Sequence, residues 1–323
     1  MANSPRTETL TERLNFAVLR IVATNHQSRA AQIGTGYVCL VEFGGGQSTC
    51  ALVTNMHVIE HATHLSFDVH LAAEGNEGTP DSETLGINFL LKQVRVLPHP
   101  HCDLVAIAIT AFLNAAAAMK GRKIFLLPLS PSAFLTDEAA LGLDLVEPIT
   151  MVGYPSGLWD EQNKLPLFRR GYTASHPAID FNGKPEFSVD IAVFSGSSGS
   201  PVFLIEQGLL FNKGDTAWSP KQRFLFLGTL WGGPRMTEKG EIRVEPVPTS
   251  GNIHVETGVR MHLGWVIKAR ETLWLLEEMR KSLIAAGLVK LSPTRPTDSS
   301  TDVRAGNDQP CLLEIESGSP ARS

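Results

Sequence analysis

An all-β body closed by one C-terminal helix is the fold this sequence predicts, and three observations carry the prediction. The 28 glycines and 20 prolines punctuate a series of short runs rich in β-branched and aromatic residues. Only near the C-terminus does the period change: Leu273, Leu276, Met279, Leu283 and Ile284 recur at three- to four-residue steps, as one buried helical face requires. With 323 residues, 43% of them apolar and 19% charged, the chain has core enough for two folding units or one large β domain.

Taken in order, residues 34–58 read as a hairpin. GTGYVCLVEF and STCALVTNMHV are strand-like runs, and Gly44, Gly45 and Gly46 supply the tip between them. A helical turn is expected at 60–63, strands over 93–97 and 104–109, and a short Ala-rich helix over 111–119. Further strands are expected over 148–152, 187–191, 202–205 and 224–230. The periodic helix runs over 268–286, Gly287 is its stop, and Trp274, Leu275 and Leu276 read as core. From residue 291 the chain turns to SPTRPTDSSTDVRAGNDQP, which cannot bury enough surface to offset its ordering entropy, so a disordered tail is expected. Within it CLLEIE (311–316) is an apolar island, read as an inert remnant ahead of a docking strand or a self-directed inhibitory segment. No repeat of solenoid length is visible.

Composition excludes several classes of function. The 28 basic and 33 acidic residues leave a net charge of −5, which gives no electrostatic reason to expect nucleic acid or an anionic membrane as the main ligand. No apolar stretch is long enough to span a bilayer; residues 104–119 come nearest, and Thr110 and Asn114 interrupt them. The N-terminal MANSPRTETLTERL has neither the apolar core nor the cleavage site of a secretory signal, so a reduced, cytoplasmic compartment is expected.

Three patterns then occur in a fixed order. TNMHV places His57 at the end of a strand, HCDLVAIAI places Asp103 at the start of one, and SGSSGSPVF places Ser198 in a glycine-flanked loop that runs into another. A neutral hydroxyl is a poor nucleophile and needs a base to take its proton as it attacks. An imidazole serves near neutral pH, and a carboxylate orients that imidazole and stabilises its cation. Gly196 and Gly199 allow the tight backbone that aims amide N–H groups at one spot, where the oxyanion of a tetrahedral intermediate would develop.

Competing readings are weaker. His57, His61 and His64 lack the HExxH arrangement of a zinc site, so no metal and no cofactor is expected. His99 and His101 read as surface residues. GSSGS is not a GxSxG elbow, and Gly44–Gly46 lacks the GK[ST] of a phosphate loop.

GSSGSP (196–201) resembles the nucleophile loop of trypsin-like serine peptidases, TNMHV their histidine motif and HCDLVAIAI their aspartate strand, closer to the HtrA-type and bacterial branch than to digestive enzymes. MVGYPSG (151–157) and GTLWGG (228–233) resemble a turn of that branch and the strand lining its substrate cleft. The resemblance implies a chymotrypsin-like fold of two six-stranded antiparallel β-barrels with a C-terminal α-helix. It divides the chain into an extension over 1–29, a peptidase domain over 30–290 and the tail over 291–323. Within the domain the first barrel would cover about 30–125, the second about 145–264 and the helix about 266–287.

It also implies roles: His57 as general base, Asp103 as its orienter, Ser198 as nucleophile, and the amides of Gly196 and Ser198 as oxyanion donors. Ala192 and Val193 would form the base of the primary pocket and Leu230, Trp231 and Gly232 its wall. With no acidic residue there, a small or medium apolar side chain before the cut bond is expected. Ser197 stands where secreted zymogens carry an aspartate, so activation by N-terminal cleavage is not expected. Cys39 and Cys50 lie on opposite arms of one hairpin, and with Cys102 and Cys311 they read as free thiols. The substrate implied is a polypeptide cut through an acyl-enzyme, and an activating protein partner fits the missing zymogen machinery and the insertion over 208–223. The rival reading is a catalytically silent or latent peptide-binding module of the same fold.

Overall fold

The computed structural model describes residues 5–25, 27, 30–155, 158–210, 219–241, 254–260 and 262–289. The expected tail with Cys311 and CLLEIE lies outside them, as does part of the insertion expected over 208–223.

The N-terminal half holds α1 (Leu10–Leu14), β1 (Val18–Asn25), β2 (Ala30–Gly44), β3 (Gln47–Thr54), α2 (Met56–Ile59), β4 (His64–Ala73), β5 (Asn76–Leu90), β6 (Val96–Pro98), β7 (Val105–Ala108), α3 (Thr110–Lys120) and β8 (Ile124–Phe125). Its strands form one eight-stranded antiparallel sheet in the order β5-β4-β1-β2-β3-β7-β6, with β8 paired to β4. The sheet's two faces serve different cores. Val38, Cys50, Leu52, Val105 and Ile107 point into the sheet's own interior with Leu65, Phe67 and Phe89. Their alternates Tyr37, Cys39, Ala51, Val53 and Ala106 join a core shared with the second half. Burial on both faces explains why β2, β3 and β7 read as unbroken apolar runs rather than alternating ones.

After α4 (Asp137–Leu141) come β9 (Pro148–Gly153), β10 (Leu167–Thr173), β11 (Glu186–Asp190), β12 (Pro201–Leu210), β13 (Ser219–Gly232), β14 (Arg235–Glu241), β15 (His254–Arg260), β16 (Leu263–Lys268) and α5 (Ala269–Ala285). Six of them close a barrel, β10-β11-β16-β13-β12-β9, while β14 and β15 pair only with each other. The halves meet through Phe134, Val202, Phe203 and Phe226 packed with Tyr37, Val53 and Leu104. The buried Tyr37 hydroxyl lies 2.6 Å from Thr229 Oγ1 and 3.2 Å from Thr272 Oγ1, tying first sheet, barrel and helix in one polar knot. Among the described residues no helix is long and apolar enough to cross a membrane.

Several expectations need correction. Residues 18–25, assigned to an N-terminal extension, are the strand β1 at the middle of the first sheet, between β2 and β4. Leu19, Ile21 and Ala23 of VLRIVATN alternate inward as a half-buried strand should. The first sheet has eight strands where six were expected, because β4 and β5 form a long hairpin and β8 adds to its edge. The helical turn expected at 60–63 occurs instead at Met56–Ile59. The strand expected at 93–97 is displaced to Val96–Pro98 by a 3-10 turn at Leu91–Gln93. Residues 266–268 belong to β16 rather than to the helix. Leu275 and Leu276 are core, but Trp274 is 42% exposed.

Candidate active site

One wall of a cleft of about 710 Å³ comes from the first sheet. The chain leaves β3 at Thr54, passes through the fully buried Asn55 in extended conformation, and starts α2, which sets His57 at the cleft mouth. His57 grips Asp103 twice: its backbone N–H donates to Asp103 Oδ1 at 3.0 Å, and its ring Nδ1 is in short contact with Oδ2. A proton on Nδ1 is thereby engaged by the carboxylate, which leaves Nε2 as the free lone pair. Asn55 Nδ2 donates to the Asp103 carbonyl oxygen at 2.7 Å and fixes the backbone that carries the carboxylate.

His99 shapes the same loop from below and is buried rather than at the surface, whereas His101 is exposed. His99 Nδ1 accepts N–H groups from His101 at 3.2 Å and Cys102 at 3.0 Å, and Nε2 sits 3.2 Å from Glu271 Oε2 at the start of α5. His99, Cys102 and Glu271 are the one His/Cys/acid group that converges among the described residues, with ligand atoms within 4.8 Å of one another. An Nδ1 that accepts two amides leaves its proton on Nε2, so the ring offers Glu271 a donor and offers a metal no lone pair. Burial and Glu271 push the Cys102 thiol up to about 12, and it stays protonated at neutral pH. Among the described residues, Cys39, Cys50 and Cys102 take part in no disulfide.

The opposite wall comes from the barrel. Phe194–Ser200 is two consecutive tight turns: Ser197 N–H donates to the Phe194 carbonyl at 3.1 Å and Ser200 N–H to the Ser197 carbonyl at 3.0 Å. Gly196 (φ +82°) and Gly199 (φ +85°) each occupy the third turn position, where a positive φ favours glycine. At Gly199 the need is absolute, since a Cβ would lie 1.9 Å from the Thr35 carbonyl oxygen. Thr35, fully buried on β2, holds the loop across the cleft. Its N–H donates to the Ser198 carbonyl at 2.9 Å and its Oγ1 to the Gly196 carbonyl at 2.9 Å, and Oγ1 also accepts the Tyr154 N–H at 3.1 Å. With their carbonyls so engaged, the N–H groups of Gly196 and Ser198 take part in no hydrogen bond among the described residues.

His57, Gly196 and Ser198 line one cleft with Val193, Phe194 and Gly232, yet no hydrogen bond joins Ser198 Oγ to the His57 ring. Of the other expected pocket residues, Leu230 is fully buried, and Trp231 stacks on Trp265 and donates its indole N–H to Glu186 at 2.7 Å. Ala192, half-buried, is outside the cleft lining. Sequence reasoning missed Thr35 and Asn55 as supports. The signals were present, a threonine between two glycines in GTGYV and the asparagine of TNMHV, but a buried threonine or asparagine declares no partner until the fold supplies one.

Comparison with known proteins agrees with this architecture. Residues 34–211 match the family model of the trypsin-like peptidase domain. More than half of the chain is covered, and the protein belongs to that family, with a chymotrypsin-like fold. No curated protein matches the sequence significantly. Similar solved structures include the active form of the Rv3671c protease from M. tuberculosis, at 15% identity and TM-score 0.42, covering 81% of this chain and 80% of that one. The thermostable serine protease AL20 from an extremophilic microorganism is 11% identical with TM-score 0.41, covering 84% and 99%. The scabies mite inactivated protease paralogue S-I1 is 10% identical with TM-score 0.40, covering 85% and 98%.

Proposed function

We propose that this chain is a serine endopeptidase in which Ser198 is the nucleophile, His57 the general base and Asp103 the group that orients and charge-stabilises the imidazole. One observation carries the reading: a carboxylate-bound imidazole and a serine flanked by two turn glycines line the same cleft, and the Gly196 and Ser198 amide N–H groups there have no partner among the described residues. Ser198 Oγ attacks the peptide carbonyl while His57 Nε2 takes its proton, and the Gly196 and Ser198 amides receive the oxyanion. The protonated imidazole gives its proton to the leaving amine, and water then releases the acyl group by the same path in reverse. A fluorophosphonate should label Ser198 in the folded wild-type chain, and Ser198→Ala and His57→Ala should both abolish the label. Absence of labelling and of peptide cleavage in folded protein under every condition tried would remove the enzyme reading.

Ser197 in place of the zymogen aspartate and the insertion over 208–223 favour one variant of this reading, a latent peptidase whose Ser198 closes onto His57 when a substrate or protein partner fills the cleft. Apo sites often tighten in this way. If the purified chain cleaves as fast alone as with any partner, latency fails and the peptidase reading stands. Cysteines outside any disulfide suit work in a reducing compartment.

A further inference from the structure

Strand β10 carries a half-buried charge that the proposed reaction does not use. Along β10, Arg170 is exposed, whereas Arg169, Gly171 and Thr173 alternate inward. Arg169 is half-buried and its Nη1 is sealed from solvent without a hydrogen-bond partner. Its guanidinium carbon lies 4.9 Å from the centre of the Phe194 ring. No carboxylate pairs with it among the described residues, whereas Arg122, Arg223, Arg270 and Arg280 each hold at least one acid. A guanidinium does not give up its proton at any working pH, so burial without a counter-charge is costly, and the group is poised to take an anion. Phe194 fixes where the anion would come from. Arg169 is not itself among the residues that line the proposed catalytic cleft, but Phe194 lines it beside Ser195, Gly196 and Ser198, and directly follows Ala192 and Val193, the expected base of the primary pocket. The expected apolar pocket rests on that loop and on the GTLWGG strand, whereas β10 brings Arg169 to it from a segment with two adjacent arginines and no apolar period.

We propose that Arg169 is a specificity-determining residue that selects polypeptides with an acidic side chain immediately before the cut bond, its guanidinium pairing with that carboxylate while Phe194 packs on the side-chain stem. This rests on the peptidase reading above and names its substrate class. The pairing is a charge-assisted hydrogen bond in a partly desolvated site, and such bonds discriminate charged from neutral isosteres by about 10- to 100-fold.

The test uses the full chain and peptides identical except for Glu, Gln, Leu or Lys at that position. In the wild type, kcat/KM should be about tenfold or more higher for Glu than for Gln, and the ratio should fall towards one in Arg169→Leu and Arg169→Gln. A second arm does not need catalysis: the Ser198→Ala chain should bind the Glu peptide more tightly than the Gln peptide, with a preference that weakens as salt rises. If the chain cleaves with Leu preferred, or with a Glu-to-Gln ratio near one, the acidic preference is wrong and the peptidase reading survives. If nothing is cleaved or labelled but the Ser198→Ala chain still selects Glu over Gln, the peptidase reading fails and the acidic site stands. Equal binding of Glu and Gln peptides in the second arm overturns the assignment even should the Arg169 variants fail to fold.

Discussion

The two walls of the cleft are built by different means. On the first-sheet wall, side chains do the holding: Asp103 receives two contacts from His57, its backbone is tied by Asn55, and its loop is capped by His99. On the barrel wall the holding is mainly by backbone: Ser198 sits in the second of two glycine turns, its carbonyl is captured by the Thr35 amide of the opposite wall, and the Thr35 hydroxyl adds a bond to the Gly196 carbonyl. The first wall is therefore complete without the second, whereas the second depends on Thr35, which belongs to the first sheet. The hydrogen bonds that tie the Ser198 loop to the first sheet come from that one buried threonine, and none joins Ser198 to the His57 ring.

The largest effects come from removing the reacting groups. Ser198→Ala or His57→Ala should each lower kcat by about 10⁴- to 10⁶-fold, with the double variant little worse than either alone, because the two act as a unit. Additive losses would show that the walls work separately.

Next is Gly199→Ala, which breaks the barrel wall alone. The new methyl meets the Thr35 carbonyl oxygen in a backbone conformation that disfavours it, so destabilisation of at least about 1–3 kcal/mol and loss of Ser198 labelling are expected. The downfield proton resonance of the His57–Asp103 pair should survive in any folded fraction, and its disappearance would contradict the independence of the first wall.

Thr35→Val and Asn55→Ala form a matched pair of smaller effect. Thr35→Val removes two side-chain hydrogen bonds, to the Gly196 carbonyl and from the Tyr154 N–H, and Asn55→Ala removes the one to the Asp103 carbonyl, at about 1–3 kcal/mol in stability for each partner left unsatisfied. Thr35→Val should slow labelling of Ser198 and leave the His57–Asp103 resonance in place, and Asn55→Ala should shift that resonance. Identical changes in both variants would mean that the walls move as one.

The same contrast explains what was legible in the sequence. His57, Asp103 and Ser198 stand in short motifs whose chemistry is local, and the glycines around Ser198 announce their turns. Strands buried on both faces, β2, β3 and β7, were visible as apolar runs. Those missed have other signatures: β1 is partly polar on its exposed positions, β5 runs through NEGTPDSETLG with few apolar residues, and β10 carries two adjacent arginines. β5 and β10 owe their place to pairing with neighbours rather than to their own periodicity, whereas β1 does alternate inward at Leu19, Ile21 and Ala23. Thr35, Asn55 and Arg169 acquire meaning only from residues distant in the chain, so no reading of local pattern could have assigned them.

The smallest effect separates the halves by their response to acid. In the first sheet, burial holds the His70 imidazole below its ordinary range, outweighing its hydrogen bond to the Asp81 carbonyl. Above about pH 6.5 the ring is neutral in folded and unfolded chains alike. Below that value the unfolded chain binds the proton first, so the first sheet loses stability as pH falls, until the folded-state pKa is passed. In the second half, burial would raise the Asp180 carboxyl, but Lys268 and Arg270 outweigh it and hold the group below the ordinary carboxylate range. That contribution is intact above about pH 4 and fades only as pH falls through the lowered value, with solvent screening making it modest. Hydrogen exchange between pH 7 and pH 5 should therefore speed up in β4 while amides of β13 and β16 keep their protection. Parallel loss in both halves would show a single cooperative unit tied across the Tyr37–Thr229–Thr272 contacts, and His70→Phe, which removes the titrating group, should then flatten the response in both halves; a response unchanged in that variant would rule out His70 as its source.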